Sequence, residues 1–97
     1  MFCSVSQITC PAELQPAYLD LRRSDIDPGM AAAPGFIRRI LLRSQTSADE
    51  LLLIVYWESR EHAVAYRQSR VHDSLRDKTI KLIKERPATK DYDILAE

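Results

Sequence analysis

The chain has 97 residues, 45% of them hydrophobic and 29% charged, with 14 lysines and arginines matched by 14 aspartates and glutamates. A formal net charge of zero argues against nucleic acid or an anionic membrane surface as the main partner. The length suits one domain, residues 1–97, which alone buries roughly 60–65% of its unfolded surface and so has a modest margin of stability.

Phe2, Ser4, Ser6 and Ile8 alternate with Cys3, Val5, Gln7 and Thr9, the period of two expected of a strand. No basic segment followed by an apolar one precedes it, and no apolar run nears the ~20 residues of a bilayer span, so a cytoplasmic location is expected. Cys3 and Cys10 are seven apart on this stretch and point to opposite faces. They cannot bridge within the strand and are expected as two reduced, half-buried thiols. Neither a C-x-x-C pair nor another metal-ligand spacing occurs, so neither a metal nor a cofactor site is expected.

Pro11 suits the first turn of a helix, and Leu14, Ala17, Tyr18 and Leu21 recur at helical spacing as one apolar stripe, with Pro16 placed to bend it. The helical signal weakens through Arg22-Arg23-Ser24. Asp27 then reads as an N-cap and Pro28 as the first position of a short second helix, Pro28 to Ala33, which Pro34-Gly35 ends. Phe36 to Ser44 and Glu50 to Glu58 read as strands joined into a hairpin by the polar run Gln45 to Asp49. Ser59 is a plausible N-cap, with Glu61 favourably placed near the helix start. This helix runs to about Gln68 and resumes near Val71. Its buried face is expected to be Val71, Leu75, Thr79, Leu82 and Ile83. Pro87 closes it, and Tyr92, Ile94 and Ala96 alternate along a last strand.

The order β-α-β-β-α-β predicts an α+β fold, a ferredoxin-like sandwich of a four-stranded antiparallel sheet with its helices on one face. Such a sheet has one covered face, so its strands should alternate cleanly between apolar and polar. The third strand does not. Leu51, Leu53, Val55 and Trp57 form one apolar face, and Leu52, Ile54 and Tyr56 form another. With no further helix to cover the second face, a second copy packing sheet to sheet as a homodimer is the expected cover.

The pattern PGF-x-x-x-x-LLRS, a polar turn, a hydrophobic strand ending in YWES, and a helix carrying Ser69-x-x-His72 resembles the antibiotic biosynthesis monooxygenase family. The element order matches over nearly the whole chain, while the specific residues are confined to about 34–75. The resemblance implies a dimeric α/β barrel with a pocket in each subunit between sheet and helices. It implies cofactor-independent oxygenases acting on phenolic or quinol-like aromatics, alongside haem-degrading enzymes, small-metabolite isomerases and members without known activity. Trp57 falls on the family's aromatic position at the strand end, and His72 on the histidine after the helix break. In the haem-degrading branch the strand asparagine, helix tryptophan and iron-ligating histidine would correspond to Ser6, Tyr66 and Leu75 here. His72 lies three residues early, almost one helical turn, which speaks against axial haem ligation. The chain has no asparagine at all, so members whose oxygen chemistry uses one have no counterpart.

Trp57 could stack on a planar substrate or be a core residue. His72 could act as general base on a phenolic or enolisable proton, its ordinary pKa being near working pH, or simply solvate a helix break. Tyr66 could bond a ligand oxygen or pack in the core. Ser6 could leave room for a ligand or for a close helix. His62, in the first helical turn, is expected to be exposed. Arg38 and Arg39 project to opposite faces of the second strand. One of them must face a covered region and needs an anion there, either a ligand carboxylate, for which Arg38 is the candidate, or Glu50 or Glu58 across the hairpin. Arg60, Arg67, Arg70, Arg76, Lys78, Lys81, Lys84 and Arg86, interleaved with acids, read as a solvated face. The expected function is a cofactor-free oxidoreductase on a small aromatic. The alternative is a non-catalytic dimeric module binding a hydrophobic ligand.

Overall fold

The computed structural model describes residues 1–83 and 85–97, so Lys84 of the charged face lies outside the described residues. Four strands form one antiparallel sheet: β1 (Phe2–Thr9), β2 (Phe36–Arg43), β3 (Glu50–Trp57) and β4 (Ala88–Asp93), in the spatial order β2-β3-β1-β4. Three helices lie on one face. The first, α1, covers residues 12–31; α2 is Arg60–Arg67 and α3 is Arg70–Ile83. This is the α+β, ferredoxin-like arrangement expected from the alternation of periods two and 3.6.

The helix α1 departs from expectation. It does not break at Arg22 to Ser24 but runs on from the turn Ala12–Leu14 through Gln15–Leu21, the wide turn Arg22–Ile26 and Asp27–Ala31. In the wide turn the Asp27 N–H reaches back five residues to the Arg22 carbonyl. Pro28 explains it: the ring has no N–H and crowds the carbonyl one turn back, so the helix widens just before it instead of ending. Asp27 is therefore helical, with φ −63° and ψ −42°, and is not an N-cap. Tyr18, Arg22, Ile26 and Met30, four apart, are all buried and mark the inward face.

The core lies between this face and one side of the sheet, where Phe2, Ile8, Leu51, Leu53, Val55 and Trp57 meet Tyr18, Ile26, Met30, Ala63, Tyr66, Leu75 and Ile83. Val71, expected to be buried, is 49% exposed; α3 turns its face through Leu75, Leu82 and Ile83, and Val71 lies beside Gly29 of α1. The last strand is also earlier than expected. It spans Ala88–Asp93, held by β1 in a register that pairs Ser4 with Asp91, and Ile94 only extends it through an N–H bond to the Met1 carbonyl. Cys3 and Cys10 are free and buried, not half-buried. Burial, helped by Asp91 at Cys3 and by Asp49 and Glu13 at Cys10, pushes both thiols up, the direction of inert cysteines. No helix among the described residues is long and apolar enough to cross a membrane.

Candidate active site

Between the sheet and the helices lies a cavity of about 360 Å³. Its floor is Ser4, Ser6 and Ile8 of β1 with Leu53, Val55 and Trp57 of β3. Its walls are Tyr18, Arg22, Ile26 and Met30 of α1, Ala63, Tyr66 and Arg67 of α2, and His72, Leu75, Arg76, Thr79 and Ile83 of α3. Arg86, Pro87 and Thr89 complete it. The strand period of two puts alternate residues of β1 and β3 on this face.

Four of the candidates named from sequence, Ser6, Trp57, Tyr66 and His72, meet in this cavity; Arg38 does not. Three of them continue one aromatic row. Phe36 meets Trp57 edge-on at 5.9 Å, Trp57 meets Tyr66 at 5.4 Å and 37°, and Tyr66 meets His72 edge-on at 5.3 Å. Trp57 is only 2% exposed, so it is both core and wall. The Tyr66 hydroxyl makes no hydrogen bond to a described residue, and burial pushes its phenol up while the Arg22 charge pulls the other way. Ser6 shares a 2.9 Å hydrogen bond with Thr89 of β4.

His72 is positioned by the break between α2 and α3. The Ser69 hydroxyl donates to the Tyr66 carbonyl at 2.6 Å and accepts from the His72 N–H at 3.1 Å, capping α3 while binding it to α2. The His72 Nδ1 is buried without a hydrogen-bond partner, its nearest acid, Asp73, being 3.8 Å away. Burial holds its pKa below 6.5, with Asp73 pulling it back up. The ring is therefore neutral at pH 7, the form that accepts a proton.

A register shift moves Arg38 away. Phe36 pairs with Trp57 but Arg38 pairs with Tyr56, so Ile37 forms a bulge. Plain alternation would set Arg38 on the face of Phe36. After the bulge Arg38 faces outward over the Tyr56 ring, 4.6 Å from its centre, and Arg39 faces inward. The inward arginine takes neither Glu50 nor Glu58. It forms an ion pair with Asp27 of α1, its Nε 2.8 Å from Oδ1. His62 is also not exposed as expected: it is half-buried under Gly35, with Nδ1 2.7 Å from the Ser59 hydroxyl.

Sequence reasoning missed Arg22. It is 5% exposed, donates to the Tyr18 hydroxyl and to Asp27 at 3.0 Å each, and reaches the cavity wall. The signal was its four-residue spacing from Tyr18 and Ile26, on the inward stripe of a helix expected to fade there. Among the described residues no three His, Cys, Asp or Glu side chains are grouped to hold a metal ion.

A family model described as antibiotic biosynthesis monooxygenase matches residues 1–78. Several solved structures share the fold. A Nitrosomonas europaea protein bearing the same family name is 18% identical at a TM-score of 0.80, covering 99% of this chain and 100% of its own. Rv0793 from Mycobacterium tuberculosis is 21% identical at 0.77, covering 99% and 96%. SnoaB, a cofactor-independent oxygenase from Streptomyces nogalater solved as a mutant, is 16% identical at 0.77, covering 99% and 94%. Identities this low carry the fold alone. No curated protein matches the sequence significantly.

Proposed function

The chain belongs to the antibiotic biosynthesis monooxygenase family, and on that premise we propose that it oxidises a small aromatic or quinol-type substrate with O2 in the cavity between sheet and helices, without a resident cofactor. The observation that supports this is one neutral imidazole beside an aromatic wall, His72 meeting Tyr66 and Tyr66 meeting Trp57. Trp57 and Tyr66 would flank the ring, and Ser6 and Tyr66 would orient its oxygens. His72 would remove the proton of a ring hydroxyl, leaving a phenolate that is electron-rich at a ring carbon. The anion carbon bonds to O2, and the peroxide takes the proton back from His72. Loss of water then breaks the O–O bond and the C–H bond of that carbon, leaving a quinone carbonyl.

Oxygen uptake by the purified protein with a panel of quinols and hydroxyaromatics tests this. His72→Ala should lower the rate by about 10²–10⁴, the usual contribution of a positioned base. The rate should hold as pH falls through 6.5 and drop only below it, because the pKa of His72 is depressed and its neutral form persists there. A rate that already falls above pH 6.5, or is indifferent to His72→Ala, would remove His72 from this role. The missing asparagine favours the alternative, ligand binding without turnover. Quenching of Trp57 fluorescence by the same compounds with no oxygen uptake would establish it.

The homodimer belongs to the same proposal. Val5, Ile54 and Tyr56 on the outer sheet face are only half-buried, and Ile37 and Tyr92 are 41% and 48% exposed. A second copy laid sheet to sheet would cover them. Light scattering is expected to give twice the chain mass, and Ile54→Lys to give the single-chain mass. A monomeric wild type would sink the idea.

A further inference from the structure

The proposed oxidation accounts for His72 and the aromatic row but leaves a buried cation unused. Arg22 has a side chain 6% exposed, and the lining it shares includes the apolar Ile26, Met30, Leu53 and Val55. Of the five N–H groups of a guanidinium, one donates to the Tyr18 hydroxyl and one to Asp27. That leaves three without an acceptor among the described residues. Asp27 does not balance this charge alone, since its Oδ1 is also ion-paired with Arg39. Two guanidinium groups on one carboxylate leave a net charge of +1 at the wall. Tyr18 accepts from Arg22, so its own proton remains free to donate.

We propose that Arg22 and the Tyr18 hydroxyl form an anion site that holds the deprotonated oxygen of the substrate, so that the cavity takes phenols and enols as their anions. This rests on the oxidation reading above and names its substrate class. An unbalanced charge beside apolar side chains is stabilised by an anionic oxygen far more than by a neutral one, because little water competes. The same oxygen carries the negative charge once His72 has taken the proton, so the donors are set in advance for charge that develops in the reaction. Tyr66 ties the two ends together, since its phenol meets the His72 ring and lies in the fields of Arg22 and Asp27. The other charges facing the cavity are otherwise engaged or at its rim: Arg67 holds Asp91 at 3.0 Å, Arg76 lies 4.0 Å from Asp73, and Arg86 is exposed.

The test uses 4-nitrophenol, whose two forms differ in colour, titrated with pH on the folded protein. Bound to wild type it should ionise at a pH at least one unit below its value in buffer, equivalent to about tenfold tighter binding of the anion. Arg22→Gln should abolish that displacement and Tyr18→Phe should reduce it. Arg22→Lys, which retains the charge beside Asp27, keeps the comparison usable if the glutamine variant does not fold, and should retain less than half. Arg60→Gln, exposed at the start of α2 and outside the cavity lining, should change nothing. Ionisation as in buffer, or a displacement that survives both Arg22 variants, overturns the site. So does an Arg22-dependent preference for 4-nitrobenzoate over 4-nitrophenolate, which would make it a carboxylate anchor. Oxygen uptake without the displacement leaves the oxidation standing and removes the anion site; the displacement without uptake does the reverse.

Discussion

Asp27→Ala is expected to destabilise the fold by about 3–5 kcal/mol, the range for breaking a buried ion pair from one side. Asp27 is the acid on which α1 and β2 converge. Its Oδ1 accepts from Arg22 at 3.0 Å and pairs with the Arg39 charge 2.8 Å away, and its side chain is 18% exposed. Arg39, 35% exposed, can turn to water when Asp27 is lost. Arg22 cannot, because it is enclosed by the helix and the cavity wall and would keep only the Tyr18 hydroxyl as a neutral partner. An uncompensated guanidinium in that position explains most of the loss, which is a large part of the roughly 5–15 kcal/mol that holds a domain together. Urea denaturation measures it. The double variant Arg22→Met with Asp27→Ala should recover more than half of the stability, since a Met of similar reach needs no counter-charge. A loss under about 1 kcal/mol in the single variant, or no recovery in the double, would mean that Arg22 is solvated.

Gly35→Ala should cost about 2–5 kcal/mol, from two sources that can be separated. Gly35 has φ of 83°, a left-handed conformation that costs an L-residue roughly 1–2 kcal/mol. A Cβ there would also sit 2.2 Å from His62 Cγ and 2.5 Å from its Cβ and Cδ2, an overlap costing roughly 1–3 kcal/mol. Neither side can yield freely. The Gly35 carbonyl accepts the Glu58 N–H at 2.8 Å, and Ser59 holds the His62 ring. Thermal melting should fall by roughly 8–40 °C, at 4–8 °C per kcal/mol for a domain of this size. Adding His62→Ala should restore the packing part and leave the conformational part. An unchanged melting point in Gly35→Ala alone would show that the turn can rearrange.

How far the sequence could be read depended on the range of the signal. Ser59 was visible as the cap of α2 because capping is decided within four residues, and the break after Gln68 was visible too, though not that Ser69 caps α3. Trp57, Tyr66 and His72 could be collected from spacing because each lies on an element of plain period. Arg38 was misplaced because one inserted residue, Ile37, turns the rest of β2 over, and nothing local marks a bulge. Val71 was misplaced because a helical stripe tells which residues share a face but not where a neighbouring helix stops covering it. The helix α1 was broken in two because Asp27-Pro28 is the same pair of letters at a helix start and after a wide turn. Only the packing of Tyr18, Arg22, Ile26 and Met30 against the sheet decides between them.

By itself the sequence therefore determined the element order and the four-stranded α+β sandwich, since periods of two and 3.6 and short-range caps carry that information, while Trp57, Tyr66 and His72 stood as candidates for either core or site. The two-faced third strand also carried the expectation of a partner. The tertiary structure alone decided that Arg22 is the buried cation of the site and Arg39, not Arg38, its inward companion. Both outcomes depend on Asp27 standing within 3.0 Å of two arginines that are five and twelve residues away in the chain. Charge pairing across elements has no period in sequence, and only the desolvation of the folded interior makes it matter.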